Sequence, residues 1–207
     1  MKFFETSKYH FFNKAIYINL RWIGIIGQLI SVNFVYYFLD FKFNFISANL
    51  VIFVGILSNL FLIFIYTKTQ LPERFAFIFL LIDILQLGLL IYLTGGMHNP
   101  FVIFLIIPSV FSSSNLGFKI NLFLVLISSL IIVFLTFFHQ PLPSPINLDY
   151  VVSSYIYFST PVSLIIALVF LNYFAHIFGN ESRLRKEALS RMEEIMAQEH
   201  ELLSLGG

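Results

Sequence analysis

Long apolar runs fill most of this chain, and short polar breaks divide them: "DFKFN" (40–44), "TKTQLPER" (67–74), "GGMHNP" (95–100), "GFK" (117–119) and "HQPLPSPINLD" (139–149). A helix needs roughly 20 apolar residues to cross a hydrocarbon core. The runs therefore predict spans near 15–39, 46–66, 75–94, 101–118, 121–138 and 151–174. The expected fold is all-α, a polytopic membrane protein with six transmembrane helices.

After Ala175 the pattern changes. "HIFGNESRLRKEALSRMEEIMAQEHELLSLGG" is charged, and its apolar residues recur at helical spacing. Leu189, Met192, Met196 and Leu203 form one seam. Ala188, Met192, Ile195 and Leu202 form a second, offset seam, and both meet Glu199. Two overlapping seams suit a dimeric coiled coil able to shift register; an amphipathic helix lying on lipid is the alternative. The expected division is residues 1–175 as a six-span membrane domain and 176–207 as a cytoplasmic, coiled-coil-like linker helix. The seams break off at "LSLGG", which predicts that a further domain follows.

Composition agrees with the spans: 58% of residues are hydrophobic and 11% charged, with mean hydropathy +0.88, against about a quarter charged in soluble domains. The absence of cysteine excludes disulfides, thiolate metal sites and thiol switches within these residues. The placement of charge says more than the net +1. Lys2, Lys8, Lys14, Arg21, Lys68, Arg74, Lys119, Arg183, Arg185, Lys186 and Arg191 fall on one side of the membrane and Lys42 on the other, so both termini are expected in the cytoplasm. The N-terminus lacks a cleavable signal pattern, and the first run reads as a retained helix. No GxGxxG, Walker A, HExxH or GxSxG motif occurs, so no catalytic residue is assigned. His10, His139, His176 and His200 have no ligand-like spacing. Neither a metal nor a nucleic-acid partner is expected.

Charges inside spans are costly and ask for partners or water. At about 1.5 Å per residue, Arg21 lies roughly 9 Å and Asp83 roughly 12 Å from the same membrane face, so the two can meet. Gln28 and Gln86 also reach similar depths. Arg21, Gly24 and Gln28 share one helix face, as do Asp83, Gln86 and Leu90, and Gly24 would let the two backbones approach closely. A structural ion pair and a ligand-contacting or proton-relay role are both open for these residues.

The break "GGMHNPF" (95–101) reads first as helix stop, turn and helix start: a glycine in the left-handed conformation, Asn99 as N-cap, Pro100 at the first helical position. It also offers ligand chemistry. Two glycines let a flat group approach the backbone, Asn99 and His98 can donate hydrogen bonds, and Phe101 presents a ring face. A quinone head group is flat, carries two carbonyl acceptors and dissolves in lipid.

This heptapeptide fits the GGxxNPF motif of the RegB/PrrB/ActS-type redox-sensing histidine kinases. "LRWIGIIGQ" (20–28), "DILQLGLLIYLTGG" (83–96) and the tail "ALSRMEEIMAQEHELLSLGG" also resemble that family, in the right order. The resemblance covers nearly the whole chain. It implies a sensor in the bacterial inner membrane that binds ubiquinone or a related quinone and relays redox state to autophosphorylation of a cytoplasmic kinase. The quinone-associated positions would be Gly95, Gly96, Asn99, Pro100 and Phe101, with Met97 and His98 at variable places. The phosphoacceptor histidine and the ATP-binding domain would lie beyond Gly207. Expected partners are membrane lipid, the quinone, a second copy through the 176–207 helix, and a response regulator reached through the kinase core.

The competing reading from the residues alone is a small transporter or channel, with Arg21, Asp83 and the glutamines lining a path. Such folds often carry broken helices in paired halves, and no inverted repeat is evident here.

Overall fold

The computed structural model describes residues 12–65, 70–143 and 154–205, with some side chains near the segment ends excluded. Lys2, Lys8, His10, Lys68 and most of the proline-rich break lie outside the described residues, as do the side chains of Arg183, Lys186, Glu199, His200, Leu202 and Leu203.

Among the described residues, five helices are long and apolar enough to cross a membrane: α1 (Lys14–Tyr37), α2 (Phe45–Ile65), α3 (Glu73–Leu93), α5 (Phe118–Phe137) and most of α6 (Ser154–Leu205). The predicted fourth span is shorter: a 3-10 helix, Pro100–Leu105, leads into α4, Ile106–Asn115. A 3-10 helix rises about 2.0 Å per residue and an α-helix about 1.5 Å, so these 16 residues still cover roughly 27 Å. That approaches hydrocarbon thickness. Pro108 has no N–H to offer the Phe104 carbonyl, which favours tight winding just before it. Side chains such as Ile23, Ile46 and Phe64 point outward from the bundle, where only lipid suits them.

The chain alternates direction through the bundle. Asn13 caps α1, its side chain accepting from the amides of Ala15 and Ile16. A two-residue ladder, β1 (Phe12–Asn13) against β2 (Gln70–Leu71), ties this start to the α2–α3 connection. Glu73 Oε1 accepts from the Gly117 amide at 2.8 Å, fastening α3 to the α4–α5 turn. Leu80, Ile84, Ile120 and Leu124 centre one buried cluster at this end. Ile91, Met97, Leu105, Ile132 and Leu168 centre another towards the 95–101 hairpin, and Ile25, Ala48 and Ile52 bind α1 to α2.

One sequence expectation changes. A side chain at Gly24 would meet nothing within 4 Å, so Gly24 is not a point of helix contact; at Gly88 a Cβ would sit 3.0 Å from Ile131, and there α3 and α5 pack closely. The change of composition at residue 175 falls within a single helix, α6, which continues to Leu205.

Candidate functional site

A groove of about 670 Å³ runs along the bundle between α1 on one side and α3 with the 3-10 helix and α4 on the other. It exists because α1 packs on α2, and α2 on α3, while α1 and α3 are bridged by long side chains. The four intramembrane candidates and three of the five heptapeptide candidates meet in it. Arg21, Gln28, Asp83 and Gln86 line the groove together with Asn99, Pro100 and Phe101.

Its floor is polar. Arg21 Nε and Nη2 both reach Asp83 Oδ1, at 2.9 and 2.8 Å. The remaining guanidinium N–H groups bond Ser58 Oγ at 2.7 Å and Asn59 Oδ1 at 3.3 Å. Tyr17 OH donates to the other Asp83 oxygen, and its ring stacks on Phe111 at 5.8 Å. The structural ion pair is therefore formed and extended into a five-residue network. Each charge has its counter-charge and its hydrogen bonds, which is what makes the pair tolerable in a bilayer. Tyr17 and Phe111 both line the groove.

One turn towards the hairpin, Gln86 Nε2 donates to Gln28 Oε1 at 2.8 Å, bridging α3 to α1.

At the hairpin end the turn chemistry is as expected: Gly95 and Gly96 take φ of 110° and 57°, and Asn99 Oδ1 caps the following helix by accepting from the Phe101 amide at 2.9 Å. The ligand chemistry differs. A Cβ on Gly95 would strike the Leu142 side chain and one on Gly96 the His139 ring. The glycines thus make room for residues 139–143, which fold back over the hairpin and are held by the Gln140 amide on the Tyr92 carbonyl at 2.9 Å. Asn99 Nδ2 donates to Thr94 Oγ1 at 2.7 Å and to the Thr94 carbonyl at 3.2 Å, so both its hydrogens are engaged within the hairpin. Gly95 and Gly96 do not line the groove; Phe101 does, 43% exposed and stacked on Phe104 at 5.8 Å. His98 and His139 meet edge to face at 5.2 Å, a contact their spacing did not suggest. Burial, and then the charge of His139, hold His98 below its ordinary pKa.

A third feature escaped the sequence reading. α4 carries Ser109, Ser112 and Ser113, all fully buried. Ser113 Oγ donates to the Asn172 carbonyl of α6 at 2.6 Å, and Asn172 Nδ2 donates to Leu168 O at 2.7 Å and Ser109 Oγ at 3.3 Å. A Cβ on Gly179 would lie 2.9 Å from the Ser114 Cα. The signal was available: small residues four apart, Ser109 and Ser113, in an otherwise apolar helix mark a close helix contact. α4 thus forms one wall of the groove and grips α6 as well. Beyond Asn180, α6 leaves the bundle, and Leu184, Leu189, Met192, Ile195 and Met196 are all exposed.

Comparison with known proteins places these features in context. A family model described as a PilS-like transmembrane domain matches residues 17–189. The sensor histidine kinase RegB of Cereibacter sphaeroides is 26% identical over 191 residues, covering 92% of this chain and 41% of that protein. The chain therefore spans less than half the length of this relative. No solved structure matches.

Proposed function

The chain belongs to the family of PilS-like transmembrane domains, and from that premise we propose that it is the membrane sensor module of a histidine kinase whose ligand is ubiquinone or a related quinone held in the α1–α3–α4 groove. The observation that carries this reading is the groove itself. It gathers the Phe101 end of the heptapeptide and the intramembrane polar residues into one site of small-molecule size. Its walls are mostly apolar, and Phe101 and Phe104 supply aromatic surface, which suits a lipid-soluble quinone with its flat ring and tail. No catalytic role is assigned to these residues.

The signal would leave through α4. Quinone occupancy alters the packing of the 3-10 helix and α4, and the Ser113–Asn172 and Ser114–Gly179 contacts carry the change to α6 and its tail. Such control needs different quinone affinities in two signalling states. The exposed Leu189, Met192, Ile195 and Met196 suit pairing with a second copy, which would bring a cytoplasmic kinase core and its response regulator under the control of the two α6 helices. A transporter is disfavoured because the charged groups that would line a path, Arg21 and Asp83, are bonded to each other and to Tyr17, Ser58 and Asn59.

The test is saturable binding of decyl-ubiquinone to the chain in lipid nanodiscs, read by quenching of its single tryptophan, Trp22. Gly24→Leu fills the groove from a position with nothing within 4 Å. It should abolish saturable quenching and leave thermal stability intact. Saturable binding that survives Gly24→Leu refutes the groove as the site.

A further inference from the structure

We propose that the carboxamide pair Gln28–Gln86, and not the hairpin asparagine, hydrogen-bonds the head group of the ligand. This rests on the quinone reading above and names the residues that recognise the ring.

The argument begins by elimination. A quinone head group presents two carbonyl acceptors, and its reduced form two hydroxyl donors. In the hairpin both Asn99 amide hydrogens bond Thr94, the Asn99 oxygen bonds the Phe101 amide, and the Thr94 hydroxyl donates to Leu90 O. On the floor, Arg21 is shared among Asp83, Ser58 and Asn59, and both Asp83 oxygens are occupied, by Tyr17 and Arg21. A ligand bonding to either cluster would have to break an existing network.

The glutamine pair is different. Gln86 donates to Gln28 at 2.8 Å, and that single bond uses one N–H and one C=O. The Gln28 amide hydrogens and the Gln86 carbonyl oxygen remain on the groove wall. Exchanging O and N in both side chains only reverses the direction of the bond, so the pair always offers the groove one NH₂ and one carbonyl. The NH₂ suits the quinone carbonyl and the carbonyl suits the quinol hydroxyl; one site serves both redox forms.

The surroundings have the shape such a ring needs. On α1, Gly24 and Gly27 border the groove, and at neither would a Cβ meet an atom within 4 Å. Glycines in membrane helices ordinarily admit another helix; these face open space beside the amides, where a flat ring can lie on bare backbone. The Gln86 amide is backed by Gly55, 3.5 Å from where its Cβ would be. Gln86 lies eight residues from Thr94 along α3, or about 12 Å. A ring at this level faces Phe104 and Ile107, and leaves the Phe101 end of the groove for the substituents and the tail.

The experiment compares Gln28→Met, Gln86→Met and the double variant with wild type in nanodiscs, using decyl-ubiquinone, decyl-ubiquinol and decylbenzene, which has the chain but no carbonyl. One single change should weaken quinone binding and the other quinol binding, each roughly tenfold, as loss of one buried hydrogen bond does; the double variant should weaken both, and decylbenzene should be unaffected throughout. Quinone binding that Gly24→Leu abolishes but the double glutamine variant leaves unchanged would overturn the pair as reader while sparing the groove. Absence of saturable binding in wild type would instead overturn the quinone reading, and the inference with it. A second measurement needs no variant: the infrared carbonyl stretch of the bound quinone in wild type should shift to lower wavenumber, and an unshifted band overturns the proposal even if the variants misfold.

Discussion

Arg21 and Asp83 are bonded at 2.9 and 2.8 Å across a gap that their own helices do not close. The pair holds α1 to α3 from within the bundle, and Tyr17, Ser58 and Asn59 complete its hydrogen bonding. Asp83→Leu strands a guanidinium whose side chain is 4% exposed, so it should cost about 3–5 kcal/mol, the usual penalty for leaving a buried charge alone. Arg21→Met with Asp83→Leu removes both charges and should recover most of that loss. Denaturant unfolding in a fixed detergent measures both. A double variant as unstable as the single would show that the network holds the helices by more than charge pairing.

Asn99→Asp keeps the cap on the Phe101 amide, yet it replaces the NH₂ that bonds Thr94 twice with a second carboxylate oxygen facing two acceptors. A pure turn-former would tolerate this change, since Asp caps about as well as Asn. Here the expected loss is about 1–3 kcal/mol of stability, seen as a lower melting temperature of the ligand-free chain. Phe101→Leu, at a ring that stacks on Phe104 at 5.8 Å, should leave that temperature within a degree or two and, through lost apolar contact with the substituents and tail, weaken quinone binding about two- to threefold.

Spans, hairpin and charge pair were legible in the sequence because each rests on a local rule: apolar run length, the glycine–asparagine–proline turn, and the cost of a lone charge in lipid. What the sequence could not reveal depends on the path of the chain elsewhere. Gly95 and Gly96 look like an approach site for a ligand until residues 139–143 are found lying on them. Gly24 looks like a helix contact until α1 proves to pack on α2 instead of α3, which turns the glycine into the wall of a groove. The short fourth span was visible in length but not in winding, because its 3-10 start depends on Asn99 and Pro108 at either end.

The close fit of Gly96 under His139 gives a sharp test of the hairpin. At φ 57° an added Cβ strains the backbone and meets the His139 ring. Gly96→Ala should therefore destabilise the chain by about 1–3 kcal/mol, and Gly96→Ala with His139→Gly should restore part of it by removing the ring. Limited proteolysis after residue 139 should become faster in the single variant and slower again in the double.

His98 gives the hairpin end a pH dependence. Its folded pKa lies below the ordinary value, by burial first and by the neighbouring His139 second. Between the unfolded and folded values the unfolded chain binds the extra proton, so stability is complete above the unfolded pKa of about 6.5 and falls as pH drops towards the folded one. Melting temperature should decline from pH 7 to pH 5, and His98→Asn should flatten the decline. A profile unchanged by His98→Asn would assign the pH dependence to other groups.

The relay proposed through α4 and α6 makes the last prediction. At Gly179 the α6 backbone passes so close to Ser114 that a Cβ would lie 2.9 Å from its Cα, which is main chain and cannot swing aside. Gly179→Leu must push the two helices apart, at about 1–3 kcal/mol, well away from the groove lining. Ser182→Leu, three residues on at an exposed position, adds the same bulk without that collision. Both variants should bind decyl-ubiquinone like wild type. In a full-length kinase carrying this module, Gly179→Leu should leave autophosphorylation locked at one level whichever redox form of quinone is supplied, whereas Ser182→Leu should keep the response. The comparison separates relay from binding, because affinity and signalling are read on the same pair of variants. A redox response of wild-type amplitude in Gly179→Leu would exclude the α4–α6 contact as the route and leave α5 and the hairpin turn at residues 96–98, which also pack on α6, as routes able to carry it.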